Sequence, residues 1–213
     1  MTNRRRPQIS LRKAPQQARS TDLVAAILQA AVQVLVKEGA PRFTTARVAE
    51  KAGVSVGSVY QYFPNKAAIL FRLQADEWQQ TTQMLCDILQ DTGSAPLDRL
   101  RKLVHAFIQT EFDEAQVRMA LDDAAPLYRD ALEARQVDQG WEAVMRNFMA
   151  ELLPSVDAAT RDLAGELVMT TLGTVGEHLS RSQRSAEDIR RYGDAMADMF
   201  GAYLKLQKKK PTR

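Results

Sequence analysis

The sequence predicts an all-α protein, an N-terminal three-helix domain followed by a larger C-terminal helical domain, with about nine helices in total. Three observations lead there. Apolar residues recur at spacings of three and four along most of the chain, while alternating β-branched runs and Asn-Gly hairpin signals are missing. The periodic runs are bounded by residues that start or stop helices, among them Gly39, Ser55, Pro64, Pro126 and Pro154. At 213 residues, 45% hydrophobic and 26% charged, the chain is long enough to bury one or two cores.

Residues 1–19 read as a flexible basic arm. Arg4, Arg5, Arg6, Arg12, Lys13 and Arg19 stand there with two prolines and no acid. The first helix opens near Ser20 or Thr21, either able to cap it, and presents Val24, Ile27, Leu28, Ala31, Val34 and Leu35. It stops at Gly39, with Pro41 beyond. Short helices follow over Thr44 to about Lys51 and Ser55 to about Tyr62. A longer one begins after Pro64 at Asn65 and runs to about Gln90, with the stripe Phe71, Ala75, Trp78, Thr82, Leu85 and Leu89. Asp91 to Pro96 is a loop. Leu100, Val104, Phe107 and Glu111 mark the next helix, and 115–124 is a short one. Residues 127–140 fit no single element. Trp141, Met145, Phe148 and Leu152 mark a helix ended by Pro154, and the last two helices span about 157–181 and 186–207. The divisions expected are the arm at 1–19, a small helical domain at 20–66, a larger helical domain at 67–207, and a basic tail at 208–213.

Charge points to the partner. Residues 1–66 hold 11 Lys and Arg against 3 Asp and Glu, a balance of +8, and the remainder hold 18 against 23, a balance of −5. One end is therefore suited to a polyanion. Other classes fall away. The lone Cys86 forbids an intrachain disulfide, and two histidines make a dedicated zinc site unexpected, so neither metal nor cofactor is anticipated. No apolar run is read as approaching the ~20 residues of a membrane span, and the arginine-rich N-terminus is no signal peptide, so a cytoplasmic protein is expected. There is no Ser/His/Asp arrangement and no phosphate-binding glycine loop. The acids Asp122 and Asp123 are adjacent and point to different sides of a helix, so no enzyme is expected.

The informative stretch runs from Phe43 to Lys66: FTTARVAEKAGVSVGSVYQYFPNK. Gly53 permits a sharp turn between two short helices, Val48 and Ala49 can pack inward, and Ser55 is placed to cap the second helix. The first turn of that helix, Val56-Gly57-Ser58, is too small and polar for a core and suits close approach to base edges. Tyr60 and Tyr62 add hydroxyls, and the helix N-terminus at Asn65-Lys66 suits a phosphate. The run Ile27-Leu28-x-Ala30-Ala31, Gly39, Thr44-Thr45, Val48-Ala49, Ala52-Gly53-Val54-Ser55, Gly57, Tyr60-x-Tyr62-Phe63 and Lys66 resembles the signature of the TetR family of transcriptional regulators, over about residues 20–70.

That resemblance implies roles. Thr45, Tyr62 and Lys66 would hold phosphates; Val56, Gly57, Ser58 and Tyr60 would lie in or beside the major groove; Ser55 would cap the helix and touch phosphate. Ala46 and Val56 stand where some relatives carry longer polar groups, so base reading would rest on few contacts, such as thymine-methyl packing and Arg47 or Gln61. The arm would either reach along the minor groove through Arg12, Lys13 and Arg19 or add only non-specific attraction. The expected partner is a palindromic operator in double-stranded DNA, read by a homodimer whose half-sites lie one helical turn, ~34 Å, or a multiple apart.

The dimer is expected through the last two long helices. Their stripes are Ala164, Val168, Leu172, Val175 and Leu179, then Ile189, Tyr192, Met196, Met199, Tyr203 and Leu206; Gly165, Gly173, Gly176, Gly193 and Gly201 would let backbones approach. The resemblance also implies a pocket for a small-molecule effector. Its candidate lining is Trp78, Phe107, Glu111, Met119, Tyr128, Trp141, Met145 and Phe148, with Thr171, Thr174 and His178 on a second face of the 157–181 helix that also carries Leu163 and Leu167. The function implied is a repressor released from its operator by that ligand, through a tilt of the 65–90 helix near Trp78. The alternatives are an activator, a DNA-binding protein controlled by a protein partner, or an architectural protein without sequence preference.

Overall fold

The computed structural model describes residues 8–12, 18–128, 140–182 and 184–209. Among the described residues it holds nine α-helices, one 3₁₀ turn and no strand: α1 (Ala18–Arg42), α2 (Thr45–Ala52), α3 (Val56–Tyr62), α4 (Lys66–Gln90), α5 (Pro96–Asp113), α6 (Ala115–Ala124), the turn Ala125–Leu127, α7 (Trp141–Leu152), α8 (Ala158–Ser180) and α9 (Ala186–Lys209). Most of the unassigned stretch 127–140 lies outside the described residues, as do the tail from residue 210 and the side chain of Arg19.

The described residues fall into two compact units, one within 1–79 and 116–137, the other within 80–115 and 138–213. The division was expected near residue 66. It falls instead inside α4, and α6 joins the first unit. The burial pattern gives the reason. Ile69, Leu70 and Leu73 enter the first core, Leu85 and Leu89 enter the second, and nothing from 74 to 84 is buried. From α6, Leu121 and Ala124 complete the first core.

In the first unit α1 buries its predicted stripe except for Leu28, which is only partly covered, with Ile27, Ala31 and Leu35 fully enclosed. Gly39 breaks the helix at φ +75°, a left-handed conformation that suits glycine. Contrary to the sequence reading, Ser20–Arg42 is long and apolar enough to cross a membrane. Its apolar side is spent on the protein's own core, as in any central helix of a small bundle. Thr44 caps α2 by accepting from the Arg47 amide at 3.3 Å. Gly53, at φ +69°, turns the chain and sends its N–H to the carbonyls of Ala49 and Glu50.

The second unit is built on α5, which packs against α7, α8 and α9. Small residues set the closest crossings. A methyl added at Gly176 of α8 would stand 2.8 Å from both Glu111 Cγ and Phe107 Cε1, and one at Gly193 of α9 would stand 2.6 Å from the His105 ring. Among the described residues, a methyl at Gly173 or Gly201 would meet nothing within 4 Å. Arg101 of α5 holds Asp194 and Asp198 of α9. Arg99 is only 1% exposed; it bonds the Leu89 carbonyl at the end of α4 and pairs with Glu151 of α7.

The predicted stripe on α9 divides between two faces. Ile189 and Met196 turn inward with Phe200 and Leu204, whereas Tyr192, Met199 and Leu206 are exposed, the last at 60%.

Candidate nucleic-acid interface

The surface around α3 is set by its caps and its buried side. Val59 and Tyr62 fix α3 to the first core, leaving Val56, Gly57, Tyr60 and Gln61 outward. Ser55 accepts from the Ser58 amide at 3.0 Å, and the two serine hydroxyls lie 2.8 Å apart. Both are therefore engaged in shaping the first turn. The Thr45 hydroxyl, at the start of α2, sits 3.1 Å from the Tyr60 hydroxyl, so two helices bring two donors to one exposed point. Lys66 stands in the first turn of α4, and Asn65 caps that helix by accepting from Ala68 N–H at 3.0 Å.

Two sequence expectations change here. Tyr62 is only 7% exposed and belongs to the first core, in contrast to Tyr60, which is exposed. Arg47 is committed to Glu38 of α1 and lies 3.2 Å from the Arg42 carbonyl, bracing α1 against α2 where a base contact was considered.

Nor is the whole arm loose. Residues 8–12 lie along the first unit, with Ile9 only 2% exposed in its core. Asn65 Nδ2 donates to the Gln8 carbonyl at 2.9 Å, the Arg12 amide donates to the Tyr62 carbonyl at 2.9 Å, and the Arg12 guanidinium reaches the Tyr60 carbonyl at 3.3 Å. The sequence held a signal: Ile9 and Leu11 are the only branched aliphatic residues in the first twenty positions. Lys13 lies outside the described residues.

The comparisons with known proteins bear on both units. Residues 27–73 match the model of bacterial regulatory proteins of the tetR family, and residues 95–207 match the tetracyclin repressor-like C-terminal domain. The chain belongs to the TetR family. It is a helix-turn-helix transcriptional regulator with an N-terminal DNA-binding domain and a C-terminal helical domain. Nucleoid occlusion factor SlmA of Vibrio campbellii is 27% identical over 189 residues, covering 85% of this chain and 93% of that protein. Among solved structures, the fatty acid degradation regulator FadR of Bacillus halodurans superposes with a TM-score of 0.66 at 18% identity, over 88% of this chain and 95% of that one. FadR of Bacillus subtilis in complex with stearoyl-CoA gives 0.59 at 18% identity, over 88% and 99%.

The residues expected to line the TetR-type pocket are divided between the units. Trp78, Met119 and Tyr128 belong to the first. Trp78 is 52% exposed and Met119 is also exposed. Tyr128 is buried, with its ring centroid 6.1 Å from that of Phe71 and its hydroxyl 3.2 Å from both Gln74 Oε1 and the Leu121 carbonyl. Burial is the main cause holding its phenol far above the ordinary range, with the charges of Asp122 and Glu77 adding to it. In the second unit Phe107, Glu111, Met145 and Phe148 are buried, Trp141 and Thr171 are half-buried, and Thr174 and His178 are exposed with Leu163 and Leu167. The sequence predicts a cavity wall along that outer face of α8; within one chain it borders solvent. An open groove of about 750 Å³ lies elsewhere, between α1 and α2, lined by Lys37, Arg42, Arg47 and Lys51 together with Glu38 and Glu50. Sequence reasoning missed Arg99, whose buried position no periodicity announces.

Proposed function

We propose that this TetR-family regulator is a cytoplasmic repressor that binds a palindromic operator as a homodimer and is released by a small-molecule effector. The observation that carries the reading is the outward face of α3. Val56 and Gly57 stand on a rigid, capped turn, next to the Thr45–Tyr60 hydroxyl pair. Val56 offers methyls to a thymine methyl and Gln61 offers an amide to a base edge. Thr45, Tyr60 and Lys66 hold phosphates and set the register, with α2 and α4 directing their helix N-termini to the same backbone.

Dimerisation is supported by an apolar seam that a single chain leaves uncovered. On α9 the exposed residues Tyr192, Ala195, Met199, Ala202 and Leu206 repeat at three and four, and on α8 Leu163 and Leu167 lie on the exposed side. Paired across a two-fold axis, these faces form a four-helix bundle.

In this reading the effector site lies in the second unit, around Glu111. Glu111 is buried there beside Phe107, with Met145 and Phe148 buried in the same unit. A protein of the same fold, FadR of Bacillus subtilis, is solved with stearoyl-CoA. Because α4 contributes to both cores, it is the element through which binding in the second unit reaches the first.

The test is selection of duplexes from a random-sequence pool by the purified full chain, followed by footprinting. A palindrome with half-sites a whole number of turns apart is expected. A specific-to-non-specific affinity ratio near one would make this an architectural DNA-binding protein instead.

A further inference from the structure

α3 has only seven residues, and so short a helix depends on its surroundings for its conformation. Its last helical bond runs from the Phe63 amide to Val59. The carbonyls beyond Val59 need other donors. For Tyr60 the helical partner four residues on would be Pro64, which has no N–H. The donors come from the chain's own N-terminal segment. Arg12 gives its guanidinium to the Tyr60 carbonyl and its amide to the Tyr62 carbonyl. The segment is itself held at two places: Ile9 is sunk in the core that also contains Val59, Tyr62 and Phe63, and the Gln8 carbonyl receives the Asn65 amide at the head of α4.

We propose that residues 8–12 form a strap that caps the C-terminal end of the recognition helix and fixes its angle, making Ile9 and Arg12 positioning residues for operator reading. This rests on the reading of α3 as the recognition helix. The strap lies at the opposite end of α3 from Val56 and Gly57, so its action passes through the helix. The strap also separates two effects that a basic arm would otherwise combine. Ile9 carries no charge, so its loss disturbs the helix without altering the attraction to phosphate. Residues 1–7 carry Arg4, Arg5 and Arg6 but precede the strap, so their loss weakens attraction and leaves the cap in place.

The experiment uses the full chain, its Ile9→Ser and milder Ile9→Ala variants, and a deletion of residues 1–7. The probes are the duplex selected by the wild-type chain and poly(dI-dC). Amide hydrogen exchange of α3 is measured on the free proteins. Ile9→Ser is expected to speed exchange at Val59–Phe63 and to weaken binding to the selected duplex by roughly tenfold or more. Its binding to poly(dI-dC) and its salt slope should be unchanged. Ile9→Ala should show the same pattern more weakly, which keeps the test available if the serine variant folds poorly. The deletion should weaken both probes together and flatten the salt dependence, without affecting α3 exchange. Unchanged α3 exchange in both Ile9 variants overturns the strap. Faster exchange with undiminished specific binding overturns its part in reading. Failure of the wild-type chain to select any sequence instead sinks the reading of α3 on which the proposal depends.

Discussion

Glu151→Ala should destabilise the second unit more than Arg99→Met, although Arg99 is the buried member of the pair. Arg99 is 1% exposed and Glu151 is 46% exposed at the side chain. Among the described residues the guanidinium meets the Leu89 carbonyl, the Glu151 carboxylate and the Phe148 ring, the last at 5.4 Å. Its Nε has no hydrogen-bond partner among the described residues. Removing the carboxylate leaves a buried cation with one neutral acceptor and an aromatic face. A stranded buried charge costs about 3–5 kcal/mol, and access of water on the Glu151 side reduces this to about 1.5–3 kcal/mol. Arg99→Met removes the charge and keeps most of the volume. It leaves the Leu89 carbonyl without its donor, at about 1 kcal/mol, and recovers part of the desolvation already spent on the guanidinium. Its net effect should be about 0–1.5 kcal/mol. In thermal unfolding at fixed protomer concentration, Glu151→Ala should lower Tm by about 4–10 °C and Arg99→Met by no more than about 4 °C. The double variant should resemble Arg99→Met, since no stranded charge remains. If Arg99→Met proves the more damaging, the guanidinium acts chiefly through its hydrogen bonds and packing, and the reasoning from buried charge is wrong.

Other outcomes follow from the same structure. Gly193→Ala should destabilise the protein by about 1–2 kcal/mol in denaturant titration. The clash at 2.6 Å with the His105 ring outweighs the gain of up to about 1 kcal/mol that alanine normally brings inside a helix. Met199→Glu should leave the helical circular dichroism intact, since Met199 is exposed, while sedimentation shows monomer at micromolar concentration and operator affinity falls by roughly a hundredfold or more. Asp157 caps α8 through the Thr160 amide and hydroxyl, at 2.9 and 2.8 Å, and these bonds hold its carboxyl below its ordinary value of 3.8. A depressed carboxyl stabilises above that value and loses its contribution as pH falls through the folded-state value. Asp157→Ala should therefore lower Tm at neutral pH, and the gap from wild type should close in the acid range below 3.8.

Most helix boundaries were legible in the sequence because the chain marks them locally. Gly39, Gly53 and Ser55 each satisfy a backbone requirement, a positive φ or an unpaired amide, that depends on few other residues. The division between units was not legible. Phe71, Trp78 and Leu85 continue one apolar rhythm along α4, yet Trp78 lies half exposed and the helix changes cores beneath that rhythm. Periodicity reports that a face is apolar and cannot report which body covers it. The strap is hard to read from sequence for a related reason: two branched aliphatic residues among six cations have the composition of a loose tail, and only the distant core at Val59 and Phe63 gives Ile9 somewhere to go. Of the interface, the cap at Ser55 and the exposed first turn of α3 could be read directly. The burial of Tyr62 and the pairing of Arg47 with Glu38 depend on contacts across the fold.

Along α9 the sequence places Ile189, Tyr192, Met196, Met199, Tyr203 and Leu206 in what looks like a single three-four stripe. One stripe of that width would serve either the monomer core or a partner. The structure separates it into two, and the glycines mark the difference. Gly165, Gly176 and Gly193 lie where α8 or α9 meets Met145, Glu111, Phe107 or His105 so closely that a methyl is tight or excluded. These positions identify the inward faces. Gly173 and Gly201 have no such neighbour among the described residues. The inward contacts are thus already made by Ile189, Met196, Phe200 and Leu204, and Met199 and Leu206 remain as apolar area that the monomer leaves exposed, next to Tyr192, whose ring carries the Arg184 guanidinium at 4.7 Å. Substitutions on the two faces should therefore separate cleanly: an inward change such as Gly193→Ala alters stability at every protein concentration, whereas an outward one such as Met199→Glu alters it only where the dimer would otherwise form.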